Sequence, residues 1–347
     1  MRLATYNVEW FNALFDEAGA PLADGEWSAR WNVTRAAQLE ALGIVFTALD
    51  ADAVLIVEAP DWKAPRRTEA ALEGFADLMG LRARKALVGF PNDTQQELAL
   101  LYDPDRVEAR HAPIGEMTGK KGSEEAPRFD GVFRIDLDID AREDLVRFSK
   151  PPLEAELRLE GFAEVVRFIG VHIKSKAPHG ARSAADATRI SIANRRKQLA
   201  QSIWLRRRVE HHLARGEALV VAGDFNDGPG LDEYEELFGR SGLEIVLGAD
   251  KPQDRRLIDP HARQALAGGL LQAHDTTARF YIRDEHRYLT ALLDYLMLSP
   301  GLAARAVGWR IWHPFDDPAI YAVPELREAL LAASDHFPVS VDLDPGL

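Results

Sequence analysis

The chain has 347 residues, of which 46% are apolar and 28% charged, and this composition is typical of an ordinary soluble globular protein with a large core. Its formal net charge of −13 argues against tight, sequence-indifferent binding to duplex nucleic acid, which depends on Lys and Arg side chains that neutralise phosphates. The absence of cysteine excludes disulfides, thiolate zinc sites and cysteine nucleophiles.

The N-terminal residues enter a strand pattern at once, at 2–7, and no charged and apolar leader precedes them. No run of residues approaches the length of a membrane span. We therefore predict a cytoplasmic protein without a membrane span, and no feature indicates a protein partner. Length alone leaves one or two domains open.

Strand-like and helix-like patterns alternate along the chain, without a long linker, a low-complexity tract or an internal repeat. In chain order, the patterns predict a strand at 2–7, a helix at 34–49 with Thr34 as a candidate N-cap, a strand at 53–58, a helix capped by Thr68, strands at 98–102, 132–139, 154–160 and 164–172, a helix at 186–214 that ends near Gly216, strands at 217–224, 293–298 and 307–312, a helix at 324–333 and a strand at 337–343.

Polar side chains lie where several of these strands end or begin. Four of them end a predicted strand, namely Asn7, Glu58, His172 and Asp224. Asp294 and the Asp335–His336 pair begin one. If all of them cluster, strands of both directions must reach the same edge, and this requires mixed or antiparallel sheets. We therefore predict an α/β fold in which two mixed β-sheets pack face to face with helices outside.

Residues 219–227 form the most informative segment of the chain, an apolar run that ends in Gly223-Asp224-Phe225-Asn226. Asp224 and Asn226 are two residues apart, so their side chains point to the same side of an extended chain. A carboxylate that orients water beside an amide that donates to a phosphate oxygen suits phosphate-ester chemistry. The same residues also favour a turn, so this segment alone leaves both interpretations open.

Other catalytic motifs are missing from the sequence. It contains no Gly-x-Ser-x-Gly elbow and no His-Glu-x-x-His zinc helix, and the segment 115–120 is one residue too short for a phosphate-binding P-loop. What remains is a set of carboxylates, amides and histidines at strand ends. Such hard oxygen ligands suit Mg²⁺ or Mn²⁺.

Six short motifs occur in the order that is found in the endonuclease/exonuclease/phosphatase superfamily. They are Tyr6-Asn7-Val8-Glu9, Val57-Glu58, Val171-His172-Ile173-Lys174, Gly223-Asp224-Phe225-Asn226, Leu293-Asp294-Tyr295 and Ser334-Asp335-His336-Phe337-Pro338. The chain resembles that superfamily, which includes pancreatic-type deoxyribonuclease, abasic-site endonucleases, inositol polyphosphate phosphatases and sphingomyelinases. The resemblance implies a four-layered α/β sandwich that forms a single domain over residues 1–347, and hydrolysis of a phosphate ester assisted by Mg²⁺ or Mn²⁺.

The resemblance also implies a role for each motif residue. Glu58 would hold the metal with Asn7 nearby, Asp335 could contact a metal, and Glu9 occupies a position where some relatives have a carboxylate on a second metal. His336, polarised by Asp294, would be the general base or the positive partner of the phosphate. The remaining catalytic residues would be Asp224 to orient the attacking water, Asn226 to donate to a phosphoryl oxygen, and His172 to face the phosphate.

Two positions depart from the family pattern. Val57 stands where many relatives have Gln, which leaves the metal ligand intact but removes a polar neighbour. Lys150 stands where an Arg usually precedes the prolines, and it keeps the charge but loses bidentate contact with phosphate. We predict that Lys150, Lys174 and Arg189 bind the substrate.

Two surface features have a structural as well as a functional interpretation. Between His172 and Gln198 the chain has seven Lys or Arg residues against one acid, so this stretch is either a wall for an anionic substrate or a solvated helix face. The aromatic residues Trp10, Phe11, Phe15, Trp27, Trp31, Trp309, Trp312 and Phe315 either belong to the core or stack on a substrate.

The leading hypothesis is a metal-dependent phosphoesterase that hydrolyses phosphodiester bonds of nucleic acid by in-line attack of water. The motifs fix the reaction and not the leaving group, so a phosphatase or phosphodiesterase acting on a small-molecule or lipid-headgroup phosphate is the alternative. A non-catalytic scaffold that retains the fold is the second alternative.

Overall fold

The computed structural model describes residues 1–137, 143–178, 180–228, 239–268, 275–282 and 286–346. The predicted strand at 132–139 and the acidic residues Asp138 and Asp140 therefore fall partly or wholly outside the described residues. Within the described ranges, no helix is both long enough and apolar enough to cross a bilayer.

The strands of the structure are short, and most have fewer than eight residues. They are β1 Arg2–Asn7, β2 Ala53–Ala59, β3 Lys85–Val88, β4 Glu97–Tyr102, β5 Val107–His111, β6 Phe133–Asp136, β7 Glu143–Val146, β8 Leu153–Leu159, β9 Val166–His172, β10 Ala218–Asp224, β11 Ala278–Ile282, β12 Arg287–Ala291, β13 Asp294–Leu298, β14 Ala306–Ile311 and β15 Val339–Leu343.

The helices lie between strands or between loops. They are α1 Arg35–Leu49, α2 Thr68–Leu78, α3 Ala184–Ala214, α4 Gly242–Leu247, α5 Pro260–Gly268, α6 Pro300–Ala303, α7 Pro318–Tyr321 and α8 Pro324–Ala333, with 3-10 turns at Phe11–Leu14 and Gln253–Arg255.

Two large mixed sheets form the centre of the molecule. The first has the strand order β14-β15-β1-β2-β4-β3, and the second has the order β13-β10-β9-β8-β5. In the first sheet only β1 and β2 run parallel, and in the second only β9 and β10 do, while the other neighbours are antiparallel. The prediction of two mixed sheets is confirmed. Two-stranded hairpins, β6–β7 and β11–β12, stand beside them.

Side-chain alternation along the strands creates the layers. In β1, Ala4 and Tyr6 join a core cluster that includes residues of α1, α2 and α8, whereas Leu3 joins the cluster shared with the second sheet. That second cluster also contains Trp204 of α3, which covers the far side of the second sheet. The order of layers is therefore helices, sheet, sheet and helix, as predicted.

A close approach of the two sheets is built into β9. A Cβ added at Gly170 would meet Leu55 Cδ1 of the first sheet at 2.4 Å, so only glycine leaves room for this leucine. The sheets are thus held at a fixed separation near the strand ends that carry the polar residues.

The sequence patterns missed several elements. The short strands β3, β5, β7, β11 and β12 were not predicted, nor were α4 and α5. The predicted cap of α2 was wrong, because Thr68 is the first helical residue and its hydroxyl donates to Pro60 O at 2.8 Å, while Arg67 is the N-cap. The cap of α1 was right, since the Thr34 side chain accepts from Ala37 N.

The backbone of Gly223, directly before Asp224, has a conformation that only glycine adopts easily. Its φ is +133°, and an added Cβ would lie 2.0 Å from Val171 O on the parallel neighbour β9. We expect Gly223→Ala to lower the free energy of unfolding by about 3 kcal/mol or more, as measured by urea denaturation.

The matched control is Gly308→Ala in β14, where an added Cβ meets nothing within 4 Å. This variant should change the free energy of unfolding by less than about 1 kcal/mol. Equal losses in the two variants would contradict the assigned constraint at Gly223.

Candidate active site

Three of the predicted site residues form one row across the edge of the second sheet. Asp224 lies opposite His172 on parallel β9 and opposite Asp294 on antiparallel β13. Asp224 and Asp294 are 2% and 1% exposed, so two carboxylates are buried side by side. Such a pair is costly unless positive charge or hydrogen bonds compensate it.

His336 supplies this compensation. Its Nδ1 lies 2.7 Å from Asp294 Oδ2, and one ligand atom each of Asp224, Asp294 and His336 lie within 4.8 Å of one another. Burial lowers the pKa of His336, but the Asp294, Asp224 and Asp335 carboxylates outweigh it, so the pKa stands well above its usual value. The raised pKa favours the imidazolium form of His336 near neutral pH, and in that form the ring does not bind a metal.

Asp224 is held by amides of both sheets. Asn7 Nδ2 donates to Asp224 Oδ2 at 3.0 Å, the Asn226 backbone N–H donates to Asp224 Oδ1 at 2.7 Å, and Asn226 Nδ2 donates to Oδ2 at 3.2 Å. Burial raises the pKa of Asp224 to about 7, with His336 opposing and Asp294 reinforcing the rise. A carboxylate with this pKa is suited to accept a proton near neutral pH.

His172 has the opposite protonation state to His336. Its Nε2 lies 3.6 Å from Asp224 Oδ2, and Lys150 Nζ lies 3.1 Å from Nδ1 and 3.2 Å from Nε2. Burial and the Lys150 charge lower the pKa of His172 well below its usual value, so the ring is neutral. Lys150 therefore lies inside the site and close to the predicted catalytic row.

A β-bulge places Glu58. The register of β2 against β4 shifts between Val57 and Ala59, and Glu58 has a left-handed φ of 64°. Its Oε2 accepts from the Trp10 backbone N–H at 3.0 Å, and burial raises the pKa of Glu58. A strained, half-buried carboxylate of this kind is typical of functional sites.

Asn7 and Glu58 together fit a divalent cation. They end the parallel strands β1 and β2, where Asn7 pairs with Val57, the residue before Glu58. Because Asn7 donates its amide hydrogen to Asp224, its Oδ1 is left buried, and no hydrogen-bond partner for this oxygen is present among the described residues. A free amide oxygen beside a carboxylate is a donor set for Mg²⁺ or Mn²⁺.

Glu9 and Asp335 form the outer part of the site. Burial and the neighbouring Asp335 carboxylate raise the pKa of Glu9 to about 7, and Arg30 forms an ion pair with Glu9. Asp335 Oδ1 is 4.0 Å from His336 Nε2. The side chain of Ser334 ties this loop to β1, because its hydroxyl donates to Asn7 O at 2.7 Å.

Helix α3 supports the site with buried amides that sequence reasoning missed. Gln198 Nε2 donates to Lys174 O at 3.1 Å and to Asn226 O at 2.9 Å, and Gln201 Oε1 accepts from Lys174 N at 2.9 Å. Both glutamines are at most 1% exposed. They fix the segments that follow β9 and β10, and therefore the positions of Lys174 and Asn226.

The basic stretch of the sequence divides into buried and exposed residues. Arg195 is 1% exposed and pairs with Asp227, so it belongs to the interior and not to a substrate wall. Arg189 is exposed, pairs with Asp186 at 2.6 Å and lines an open groove of about 610 Å³ with Arg147 and other basic residues. Its role in substrate binding stays a prediction.

The two site histidines should titrate in opposite ways. At pH 7 we expect the ¹⁵N chemical shifts of His336 to be those of an imidazolium and the shifts of His172 to be those of a neutral ring. Because Asp294 holds the His336 charge, Asp294→Asn should lower the pKa of His336. Because the Lys150 charge lowers the pKa of His172, Lys150→Met should raise it. Two histidines that titrate together near pH 6.5 would contradict this electrostatic arrangement.

The comparison with curated proteins found no match. Among solved structures, an AP endonuclease from Archaeoglobus fulgidus has a TM-score of 0.50 and 12% identity, with 99% of each chain covered. The 3'-5' exonuclease NExo of Neisseria meningitidis has a TM-score of 0.49 and 16% identity, covering 99% of this chain and 100% of its own. Truncated TDP2 of Caenorhabditis elegans has a TM-score of 0.48 and 13% identity, covering 98% of this chain and 96% of its own.

The likeness to the archaeal structure concerns the fold. The family assignment rests on the sequence, because the model of the Endonuclease/Exonuclease/phosphatase family matches residues 4–336. This range includes every motif from Asn7 to His336. The chain belongs to the endonuclease/exonuclease/phosphatase family.

Proposed function

We propose that the protein is a divalent-metal-dependent phosphoesterase that hydrolyses phosphodiester bonds of nucleic acid by in-line attack of water. The observation that carries this proposal is the buried row of His172, Asp224 and Asp294, with His336 Nδ1 2.7 Å from Asp294 Oδ2 and with Asn7 and Glu58 at the ends of the neighbouring strands β1 and β2. Family membership supports a phosphate-ester hydrolase as the reaction class.

Asp224 is the proposed acceptor of the water proton. Its pKa of about 7 suits it to accept a proton near neutral pH, and hydrogen bonds from Asn7 and Asn226 hold the carboxylate in place. The water oxygen attacks phosphorus, its proton passes to Asp224, and the bond to the leaving oxygen breaks. Both bonds from the Asn226 side-chain amide are already used, to Asp224 and to Ile173 O, so in this arrangement Asn226 positions Asp224. Its donation to a phosphoryl oxygen stays a prediction.

His336 is proposed as the positive partner of the phosphate and not as the general base. The sequence left both roles open, and the raised pKa of His336 favours a charged ring that neutralises the developing negative charge. His172 and Lys150 face the same position from β9 and the loop before β8, where they stabilise charge on the departing oxygen.

Glu58 and the Oδ1 of Asn7 would hold the metal ion, with Asp335 and Glu9 as further carboxylates at the outer side. A bound Mg²⁺ or Mn²⁺ supplies charge neutralisation and polarisation of a phosphoryl oxygen. The fit rests on the unpartnered Asn7 oxygen and on the bulge that presents Glu58.

A polyanionic substrate is favoured by a series of lysines that leads away from Asp224. The charges of Asp224 and Lys174 act on the pKa of Lys150, and the charge of Lys197 acts on the pKa of Lys174, so the three lysines lie near one another in this order, although burial lowers the pKa of each. Lys197 then lines the basic groove that contains Arg189. A single phosphate needs no such extended positive path, whereas a nucleic-acid backbone does.

We also propose that residues 1–347 form one domain, because the first strand β1 pairs with the last strand β15 and the core shared by both sheets includes Leu3 and Leu343. A cytoplasmic location stays a prediction.

Hydrolysis of bis(p-nitrophenyl) phosphate tests the reaction class. We expect turnover with Mg²⁺ or Mn²⁺ and none with EDTA, and a loss of at least about 10³-fold in kcat/KM for Asp224→Ala and His336→Ala, because each removes a group that acts only in the transition state. The matched control is His212→Gln, which removes another buried histidine that is paired with an acid, Glu217, outside the site. Near wild-type rates in the first two variants would refute the assigned roles.

Thermal denaturation with and without metal tests metal binding. Mg²⁺ or Mn²⁺ at about 100 times its Kd should raise Tm on the order of 3 °C, because it binds the folded state only. Glu58→Gln should abolish this rise. Glu97→Gln, which neutralises a second buried carboxylate on the neighbouring strand, should keep it. An unchanged response in Glu58→Gln would show that the metal binds elsewhere.

A further inference from the structure

An open cavity adjoins the outer carboxylates of the site. It has a volume of about 730 Å³ and is lined by Glu9, Asp335, Trp27, Trp31, Tyr281 and Tyr288 among others, and we call it the aromatic slot. The tryptophans belong to the segment between β1 and α1, and the tyrosines belong to the β11–β12 hairpin. The volume lies in the range of ligand-binding cavities.

The rings that line the aromatic slot are exposed. Trp31 is 73% exposed, Trp27 66%, Tyr288 49% and Tyr281 44%, so none of them belongs to the core. Phe11 and Phe15, earlier in the same segment as the tryptophans, are buried in the cluster under α1. The structure thus separates core aromatics from four exposed rings around one cavity, of which Tyr281 and Tyr288 pack on each other with centroids 5.1 Å apart. Exposed rings grouped in this way are typical of a binding surface.

Both walls of the slot are held in place by backbone hydrogen bonds. On one wall, Trp27 forms an isolated bridge with Thr34, the N-cap of α1, and Ser28 N donates to Val33 O at 3.0 Å. On the other wall, Arg279 N donates to Asp335 O at 2.7 Å, and Ala278 forms a bridge with His336. A ligand in the slot would therefore lie at a fixed position relative to the catalytic histidine, at little cost in ordering.

Two arginines, Arg30 and Arg279, line the slot together with the carboxylates Glu9 and Asp335. The guanidinium carbon of Arg279 lies 3.3 Å from the centre of the Tyr288 ring. Arg30 pairs with Glu9 and donates to Leu331 O at 3.0 Å. Exposed rings next to arginines are the combination that binds single-stranded nucleic acid, because the rings stack on bases and the cations attract phosphates.

On the basis of the proposed function, we infer that the aromatic slot binds unpaired nucleobases next to the scissile phosphate, so that the substrate is single-stranded nucleic acid or an unpaired end. In a duplex the faces of the bases are stacked on one another, and exposing them costs a few kcal/mol per base. The net charge of −13 also disfavours the broad phosphate contact that duplex binding requires.

Binding without turnover tests this inference directly. In EDTA at fixed ionic strength, fluorescence anisotropy is measured with a labelled oligothymidylate, with an abasic oligomer that has the same number of phosphates, and with a duplex. We expect the oligothymidylate to bind about tenfold more tightly than the other two, since each stacked base contributes. Trp27→Ala and Trp31→Ala should remove most of this preference, and Trp31→Phe should retain part of it.

The matched control is Tyr321→Ala, which removes a ring that is 54% exposed on α7 outside the slot. It should leave all three affinities unchanged. Equal affinity of the wild type for the oligothymidylate and the abasic oligomer, or a preference that survives both tryptophan variants, would overturn the inference.

Failure of the inference is distinguishable from failure of the proposed function. Metal-dependent hydrolysis of bis(p-nitrophenyl) phosphate without binding of any oligonucleotide would leave the phosphoesterase intact and overturn the nucleobase site, in favour of a small-molecule or lipid-headgroup phosphate. Base-dependent binding without hydrolysis would support the slot and overturn the catalytic proposal.

Discussion

The arrangement of the site depends on two buried carboxylates that face each other across antiparallel strands. Asp224 and Asp294 are register partners, and their repulsion in a low-dielectric edge must be balanced. His336 balances it by staying protonated, and Asn7 adds a hydrogen bond from the first sheet. Burial, opposed by His336, leaves Asp224 with a pKa of about 7, and the donation from Asn7 Nδ2 leaves Asn7 Oδ1 without a hydrogen-bond partner among the described residues. A proton acceptor, a fixed cation and a candidate metal ligand thus follow from one electrostatic constraint.

The two sheets bring these groups together by the same arrangement of strands. In each sheet one parallel pair, β1–β2 or β9–β10, ends at the polar edge, and an antiparallel neighbour begins there. β13 begins with Asp294, and the loop before β15 carries His336. Because parallel strands end at the same edge and antiparallel neighbours start at it, groups from distant parts of the chain meet without long loops. Gly170 sets how closely the sheets approach, since a larger side chain would displace Leu55.

The sequence predicted the buried strands correctly, because burial produces a clear apolar pattern. It did not predict strand register or the burial of polar side chains, because these depend on the folded surroundings. The apolar runs of β1, β2, β9 and β10 predicted buried strands, and the direction argument then gave two mixed sheets. The bulge at Glu58 could not be predicted, because a register shift between strands does not change the pattern of apolar residues in the sequence. Gln198 and Gln201 read as a polar helix face, although both are buried against the site loops. Arg195 was counted with an exposed basic wall for the same reason. The hairpin β11–β12 was missed because most of its residues are exposed or half-buried, so neither strand shows the alternation of a half-buried strand or a long apolar run.

The strand ends carry the groups that are proposed for the reaction, whereas the surrounding loops carry those that are proposed for substrate binding. Three residues beside the polar edge, Trp10, Glu58 and Asn226, have left-handed backbone conformations that cost free energy in non-glycine residues. Such strain persists only where the surrounding sheets over-determine it, so the reaction chemistry is tied to the most rigid part of the fold. The aromatic slot is built instead from a segment between β1 and α1 and from a separate hairpin, which touch the sheets through a few backbone bonds. The Trp27 and Trp31 rings can change while these backbone bonds are kept, whereas Ala278 and Phe280 of the hairpin also contact His336. In such a fold the strand ends support the proposed reaction, and the loops influence the choice of substrate.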